Sequence, residues 1–141
     1  MIKVDFITTP NEQFNAEIDK GLIINLKNLS GVVAGAKKHT IYAKENQKII
    51  GGTIAYLHGT ILWIDSIYVD NNRRQQGLGK QLMEQLIIYA KKCGALELQL
   101  NTYFLDAHHF FSVQGFDTLS SIPNWKYGLT CYFMRKIIHS K

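Results

Sequence analysis

The chain has 141 residues, of which 46% are hydrophobic and 19% are charged, and its formal net charge is +5. This length and composition fit one folded domain with a single core, expected over residues 1–141, and exclude a disordered chain. Two cysteines are too few for a disulfide framework, and no signal peptide or membrane span is visible, so a reducing, cytoplasmic setting is expected. The basic residues lie in scattered pairs, which argues against a nucleic-acid binder.

The first half of the chain predicts a strand, a helix and three further strands. Alternating residues predict the first strand at 3–8, and apolar residues with a four-residue step predict a helix over 12–29, interrupted near Gly21. Gly51 and Gly52 indicate a bulge or a close approach of two backbones inside a later strand. The three strands of this β-rich stretch are expected at residues 40–44, 48–57 and 61–69.

In the second half the hydrophobic period changes to that of a helix. Apolar residues from Leu78 onward form one stripe that ends near Lys92, and Gly94 supplies a stop. A shorter helix is expected from Asp106, its N-terminal cap, to Val113. Strands are expected at 96–100, from 115 onward and at 130–138. This order predicts an α/β domain built on one mixed sheet.

The most informative segment joins the strand that ends at Val69 to the helix that follows. The helix begins among Gly77 and Gly79, where backbone N–H groups are free and no Cβ atom keeps an anion away from them. Arg74 and Lys80 add positive charge. The segment therefore predicts a site for a phosphate or pyrophosphate.

Two common nucleotide motifs do not fit this loop. A Walker loop requires Ser or Thr after the Gly-Lys pair, whereas Gln81 follows Lys80 here. A dinucleotide fingerprint requires a third glycine three residues after Gly79, and that residue is Leu82.

The stretch Arg74-Gln75-Gln76-Gly77-Leu78-Gly79 resembles the R/Q-x-x-G-x-G/A signature of the GNAT superfamily of acyl-CoA-dependent N-acetyltransferases. The later pattern Ala107-x-x-Phe110-Phe111-x-x-x-Gly115-Phe116 also resembles that family, and the similarity extends over about residues 40–138. The resemblance implies a single domain with a splayed mixed sheet flanked by helices, and acetyl-CoA as cosubstrate.

The resemblance also implies a role for each segment of the site. The strand end would pair with the pantetheine arm, and the N–H of Tyr68 or Val69 would polarise the thioester carbonyl. Asn101 would lie near the slot between the splayed strands. His108, beside the short helix, is expected on the cofactor side, with a position facing solvent as the alternative. The expected cofactor-binding residues are Ile67, Tyr68, Val69, Arg74, Gln75, Gln76, Gly77, Leu78, Gly79, Lys80, Asn101 and His108.

The catalytic groups are less directly indicated. Asp65 is the expected general base, because on an alternating strand it shares a face with Ile67 and Val69, close to the expected slot; the alternative is that it binds a loop or attracts a cationic substrate. Phe111 stands where many relatives have the tyrosine that reprotonates the thiolate. Tyr132 is the expected substitute, with an ordinary strand tyrosine as the alternative.

These observations predict transfer of an acetyl group to a primary amine of a small molecule or peptide, directly within a ternary complex. A non-catalytic acyl-CoA-binding module is the alternative, suggested by Phe111 and by Phe104, which replaces an asparagine found in many relatives. No metal and no membrane partner are expected, and a homodimer remains open.

Overall fold

The computed structural model describes residues 3–30 and 36–138, and the chain divides into two compact units, Met1–Gly35 and Ala36–Lys141. The first unit contains helix α1, Glu12–Ser30, whose start is capped by the Asn11 side chain, Oδ1 accepting from the N–H of Phe14 at 3.0 Å. No helix in the described ranges is long and apolar enough to cross a membrane.

Two predictions about the first unit are wrong. The helix continues through Gly21 without a break, because one glycine costs a helix only about 1 kcal/mol. Residues 3–8 form no strand, since alternation alone gives a strand no partner for its backbone hydrogen bonds. The stretch at 32–38, for which the sequence predicts no element, lies partly outside the described residues, and its last two residues, Lys37 and Lys38, begin β1.

The second unit is a six-stranded mixed sheet in the order β1-β2-β3-β4-β6-β5. Among the strands of residues 36–138, only β3 and β4 run parallel; the other neighbouring strands are antiparallel. The elements are β1 Lys37–Glu45, β2 Lys48–His58, β3 Ile61–Val69, α2 Leu78–Lys92, β4 Glu97–Thr102, α3 Leu105–Val113, β5 Asp117–Ile122 and β6 Cys131–Ile137, with short 3-10 turns at Asn71–Arg73 and Lys126–Gly128.

The core of this unit packs α2 and α3 against one face of the sheet. The predicted helical stripe is confirmed, since Leu82, Met83, Leu86 and Ala90 of α2 are all buried. The core cluster comprises Ala55, Leu62, Ile64, Met83, Leu86, Ala90, Ala95, Leu98, Leu100, Phe111, Phe116, Met134 and Ile138.

The observed element boundaries agree best with the predicted ones where the sequence signals are strongest. β3 spans the predicted 61–69, and α2 ends at the predicted Lys92. The expected cap of α3 is wrong: the helix begins at Leu105, Phe104 is its N-cap residue, and Asp106 lies in the first turn.

The double glycine in β2 serves a close approach of backbones, as predicted. A Cβ on Gly51 would lie 2.8 Å from the carbonyl oxygen of Tyr68, and one on Gly52 would lie 2.7 Å from that of Ile41. The β1–β2 ladder also shifts register next to these glycines, between Ala43 and Lys44.

Candidate active site

Strands β3 and β4 lie side by side only at their beginnings. Their parallel ladder ends where Trp63 lies opposite Gln99. Beyond that point β3 stays paired with β2 up to Val69, and β4 stays paired with β6 up to Thr102. The two strands therefore diverge, and each presents an edge without a ladder partner to the slot between them. The splayed sheet implied by the resemblance is confirmed.

A β-bulge at Asp65 accounts for the divergence. Ser66 lies opposite Ile54 and Ile64 lies opposite Ala55, so Asp65 has no partner in the β2–β3 ladder. A bulge bends its strand and increases the local twist. The second half of β3 consequently leaves the direction that β4 follows.

The bulge also shifts the alternation of side chains along β3. Leu62 and Ile64 are buried before it, whereas Ile67 packs against the core after it. The argument that alternation places Asp65 on the same face as Ile67 and Val69 is therefore wrong, because the alternation breaks at Asp65 itself. Its side chain is exposed, two residues beyond the last β3–β4 pair.

The bulged segment is held by a residue that sequence reasoning missed. Thr53 of β2 is only 3% exposed, and its Oγ1 donates a hydrogen bond to the carbonyl oxygen of Ser66 at 2.8 Å. A lone hydroxyl inside an apolar strand is a weak signal, because threonine is also a frequent strand residue. Thr53 thus fixes the backbone immediately after Asp65.

The N-terminus of α2 has the features of an anion site. The helix begins at Leu78, and its N-cap residue, Gly77, makes no side-chain capping hydrogen bond. The amides of Leu78, Gly79 and Lys80 precede the helical hydrogen bond from Gln81 N to Gly77 O, 3.0 Å long. These amides, together with the positive end of the helix dipole, can receive a phosphate group.

Gly77 and Gly79 contribute in different ways. Gly77 has a φ of +81°, a left-handed conformation that side chains rarely adopt, and a Cβ there would meet nothing within 4 Å. At Gly79 a Cβ would lie 3.3 Å from two ring carbons of Phe110 in α3. The first glycine therefore shapes the loop, whereas the second also lets α2 and α3 pack closely.

The polar side chains around this loop are mostly exposed. Gln75, Gln76 and Lys80 are all exposed, and Gln75 adopts a φ of +63°. Arg74 donates from Nε to the carbonyl oxygen of Val69 at 3.2 Å, which ties the loop to the end of β3. The structure thus places the predicted phosphate loop at 74–80 next to the end of β3, which carries Ile67, Tyr68 and Val69.

Asn101 lies in β4 beyond the point of divergence, but its side chain is engaged with β6. Its Nδ2 contacts Cys131 Sγ at 3.5 Å, and Cys131 is fully buried. Leu100 and Thr102 are buried on the opposite, helix-bearing face of the sheet. Asn101 therefore lies on the face opposite the helices α2 and α3, at the same end of β4.

Tyr132 and His108 form a pair on the helix-bearing face. Their rings stack with centroids 4.0 Å apart, and Tyr132 lies opposite Thr102 in the β4–β6 ladder. His108 Nε2 makes a 2.8 Å hydrogen bond with Thr118 Oγ1. The structure thus places this half-buried pair at the end of β4, whereas Asn101 faces the other way.

Phe111 is a core residue. It is 3% exposed and contacts the rings of Phe110 and Phe116 edge-on. Its position offers no hydroxyl to the slot. Phe104, the other departure from the resemblance, is 62% exposed and gives α3 no side-chain cap.

A diverging pair of parallel strands and a helix that starts at a glycine without a side-chain cap define an α/β fold with a slot in its sheet and a candidate anion-binding loop. Comparison with known proteins agrees. The family model described as acetyltransferase (GNAT) family matches residues 7–116. The chain therefore belongs to the GNAT acetyltransferase family, and the predicted fold class is confirmed.

Individual acetyltransferases are similar to this chain in sequence or in fold. Blasticidin-S acetyltransferase from Streptomyces morookaense is 27% identical over 93 residues, covering 65% of this chain and 68% of that protein. A candidate acetyltransferase from Agrobacterium tumefaciens has the same fold, with a TM-score of 0.84 at 16% identity over 96% of this chain and 99% of that one. An acetyltransferase from Bacillus cereus has the same fold, with a TM-score of 0.83 at 21% identity over 94% of this chain and 97% of that one.

Family membership establishes the general activity. The protein is an N-acetyltransferase, and acetyl-CoA is the acetyl donor of this family. Structures of the same fold include complexes with coenzyme A and with acetyl-CoA.

Proposed function

We propose that the protein acetylates a primary amine of a small polar molecule by direct transfer from acetyl-CoA in a ternary complex. The observation that carries this proposal is the slot between β3 and β4, which opens beside the uncapped N-terminus of α2. The similarity to blasticidin-S acetyltransferase supports a small-molecule acceptor over a peptide.

The residues of the phosphate loop fit the anionic part of acetyl-CoA. The amides from Gln75 to Lys80 would hold its pyrophosphate, because Gly77 opens the loop and no side chain caps the helix. Arg74 and Lys80 would add positive charge. The free edge of β3 from Ile67 to Val69 would pair with the pantetheine arm as an added strand.

Two contacts favour Val69 over Tyr68 as the donor that polarises the carbonyl. A Cβ on Gly51 would touch the Tyr68 carbonyl oxygen, so that oxygen points toward β2, and the N–H of Asp70 donates to Ile50 of β2 at 2.8 Å. Backbone groups alternate in direction along a strand, so the N–H of Val69 points toward the slot. An N–H fixed in this way stabilises negative charge developing on an acyl oxygen.

Acetyl-CoA supplies a thioester whose carbonyl carbon accepts the amine nitrogen, with loss of the thiolate. The amine must first lose a proton, since an alkylammonium has a pKa near 10.4. We assign this step to Asp65, directly or through water. The bulge exposes its carboxylate beside the slot, and Thr53 fixes the adjacent backbone.

The departing thiolate needs a proton, and we assign its delivery to the Tyr132 hydroxyl. Tyr132 is half-buried at the slot end of β6, and the His108 ring stacked on it restricts its rotamer. Phe111, in the place of the usual tyrosine, is buried in the core and has no proton to give.

The test combines calorimetry of coenzyme A binding with thiol release from acetyl-CoA across a panel of amines that includes blasticidin S. We expect binding and release that depends on one class of amine. In Asp65→Asn and Tyr132→Phe, kcat should fall at least about tenfold while the affinity for coenzyme A stays within about twofold. Binding without release for any amine would leave only the non-catalytic module, and unchanged kcat in a variant would remove that residue from the mechanism.

The setting and assembly of the enzyme are part of the proposal as well. Cys93 and Cys131 are both free thiols, which supports a reducing, cytoplasmic setting. A homodimer remains a prediction, to be checked by light scattering of the purified protein.

A further inference from the structure

The segment Asp70 to Arg73, which leads into the phosphate loop, is tied to the tip of the β1–β2 hairpin by two ion pairs. Arg73 Nη2 contacts Glu45 Oε1, and Lys48 Nζ lies 3.6 Å from Asp70 Oδ2. Glu45 ends β1 and Lys48 begins β2, so both sides of the turn reach the loop. We refer to Glu45, Lys48, Asp70 and Arg73 as the hairpin latch.

The latch also organises the backbone that leads into the anion site. The carbonyl oxygen of Asp70 accepts from the N–H of Arg73 at 2.8 Å, and its Oδ1 accepts from Asn72 N at 3.5 Å. The N–H of Asp70 donates to Ile50 O at 2.8 Å. Asp70 therefore starts the 3-10 turn and joins it to β2 at one point.

The position of the Arg73 guanidinium depends on its ion pair with Glu45. Its Nε is buried without a hydrogen-bond partner in the part of the chain that the structure describes, and Glu45 is its ion-pair partner there. Without Glu45 a partly buried guanidinium would have to reorient toward water. Arg73 is the last residue of the 3-10 turn and bonds Asp70 O through its own N–H, so a movement of Arg73 would shift the turn and the start of the phosphate loop at Arg74.

We propose that Glu45 and Arg73 are positioning residues for acetyl-CoA: the hairpin latch holds the loop at 74–80 in the conformation that receives the pyrophosphate. This inference rests on the proposed role of the loop. The latch would affect the affinity for acetyl-CoA, whereas the acetyl-transfer step depends on the residues at the slot.

The sign of the effect of Glu45→Gln separates this proposal from simple charge attraction. Removing a negative charge near a polyanion should strengthen binding through the long-range field. Loss of the latch should weaken binding, because the loop must be ordered when the ligand arrives. Only the second effect predicts a loss of affinity when a carboxylate is neutralised.

The experiment measures coenzyme A binding by calorimetry, and KM for acetyl-CoA and kcat where an amine substrate is available. In Glu45→Gln we expect affinity to fall about twofold to fivefold, as suits a partly exposed ion pair, with kcat unchanged. Glu84→Gln is the matched control: it removes the same charge from an exposed site on α2 that takes part in none of the ion pairs found among the described residues.

A charge reversal completes the test. Arg73→Glu alone should weaken binding further, and adding Glu45→Arg should restore affinity to within about twofold of the original, since the pair is re-formed with the same net charge. Equal or tighter binding in Glu45→Gln, or no recovery in the double variant, would overturn the latch. Failure of the unaltered protein to bind coenzyme A would instead overturn the proposed function.

Discussion

Gly77 and Gly79 look equivalent in the sequence motif, but in the folded chain a side chain is disfavoured at each for a different physical reason. Gly79 is confined by the Phe110 ring, so any side chain there disturbs the packing of α2 on α3 whether or not a ligand binds. Gly77 has open space around it and is constrained only by its positive φ. Substitutions at Gly77 therefore report on the anion site more directly than those at Gly79.

We predict that Gly77→Asp abolishes coenzyme A binding, whereas Gly77→Asn lowers it only a few-fold. Asn and Asp have nearly the same shape and both tolerate the left-handed region, so the pair differs in charge alone. A negative charge about 4 Å from a phosphate costs about 4 kcal/mol at an intermediate dielectric. Calorimetry checks the two affinities; equal values for the two variants would mean that the phosphate does not bind at this helix start.

Among whole elements, those with a dense local signal were predicted well. The apolar stripe of α2 and the residue alternation of β3 predicted the boundaries of both elements nearly to the residue. The bulge inside β3 was not foreseen, because it is a property of the β2–β3 pairing and leaves no residue pattern in one strand. The candidate base, Asp65, was therefore identified from an argument that the pairing does not support.

Helix α3 shows the reverse case, an element present without its usual start signal. Phe104 has the extended N-cap conformation, with a φ of −102° and a ψ of 129°, but no side-chain oxygen. We predict that Phe104→Asn raises the free energy of unfolding by up to about 1 kcal/mol, or about 2–4 °C in melting temperature, by capping α3. The lost edge contact with the Tyr103 ring offsets part of this gain.

Thermal unfolding followed by circular dichroism measures the effect, and Phe104→Ala is the control. Alanine removes the same ring without supplying an acceptor, so its melting temperature should lie below that of the asparagine variant. If the two variants melt together, the missing cap is not what limits α3.

Across the molecule, the order of elements in the second unit and the start of α2 at the two glycines followed from the sequence, whereas the hairpin latch did not. Glu45 and Arg73 are 28 residues apart, and nothing in either segment indicates the other. The same holds for Thr118 and His108, which meet only because β5 lies beside β6 and α3 packs on that sheet. Contacts of this kind depend on tertiary structure, so sequence patterns could not supply them.

A last long-range contact links the far edge of the sheet to α2 and predicts how stability depends on pH. His39 of β1 stacks on Tyr89 of α2 with ring centroids 3.5 Å apart. Burial, and then the neighbouring Lys37, lowers the pKa of His39 below its usual 6.5. The neighbouring Cys93 thiol, and then burial, raises the pKa of Tyr89.

A lowered histidine pKa means that the unfolded chain takes up a proton at a higher pH than the folded one does. The contribution of His39 is therefore fully present above about pH 6.5 and is lost as the pH falls through that value toward the folded pKa. We predict that the melting temperature of the unaltered protein falls more between about pH 7.5 and pH 5.5 than that of His39→Phe, which keeps a ring on Tyr89 but cannot be protonated. Scanning calorimetry of both proteins at the two pH values checks this. Parallel shifts would show that His39 does not couple folding to protonation, and that the β1 edge is held to α2 by ring packing alone.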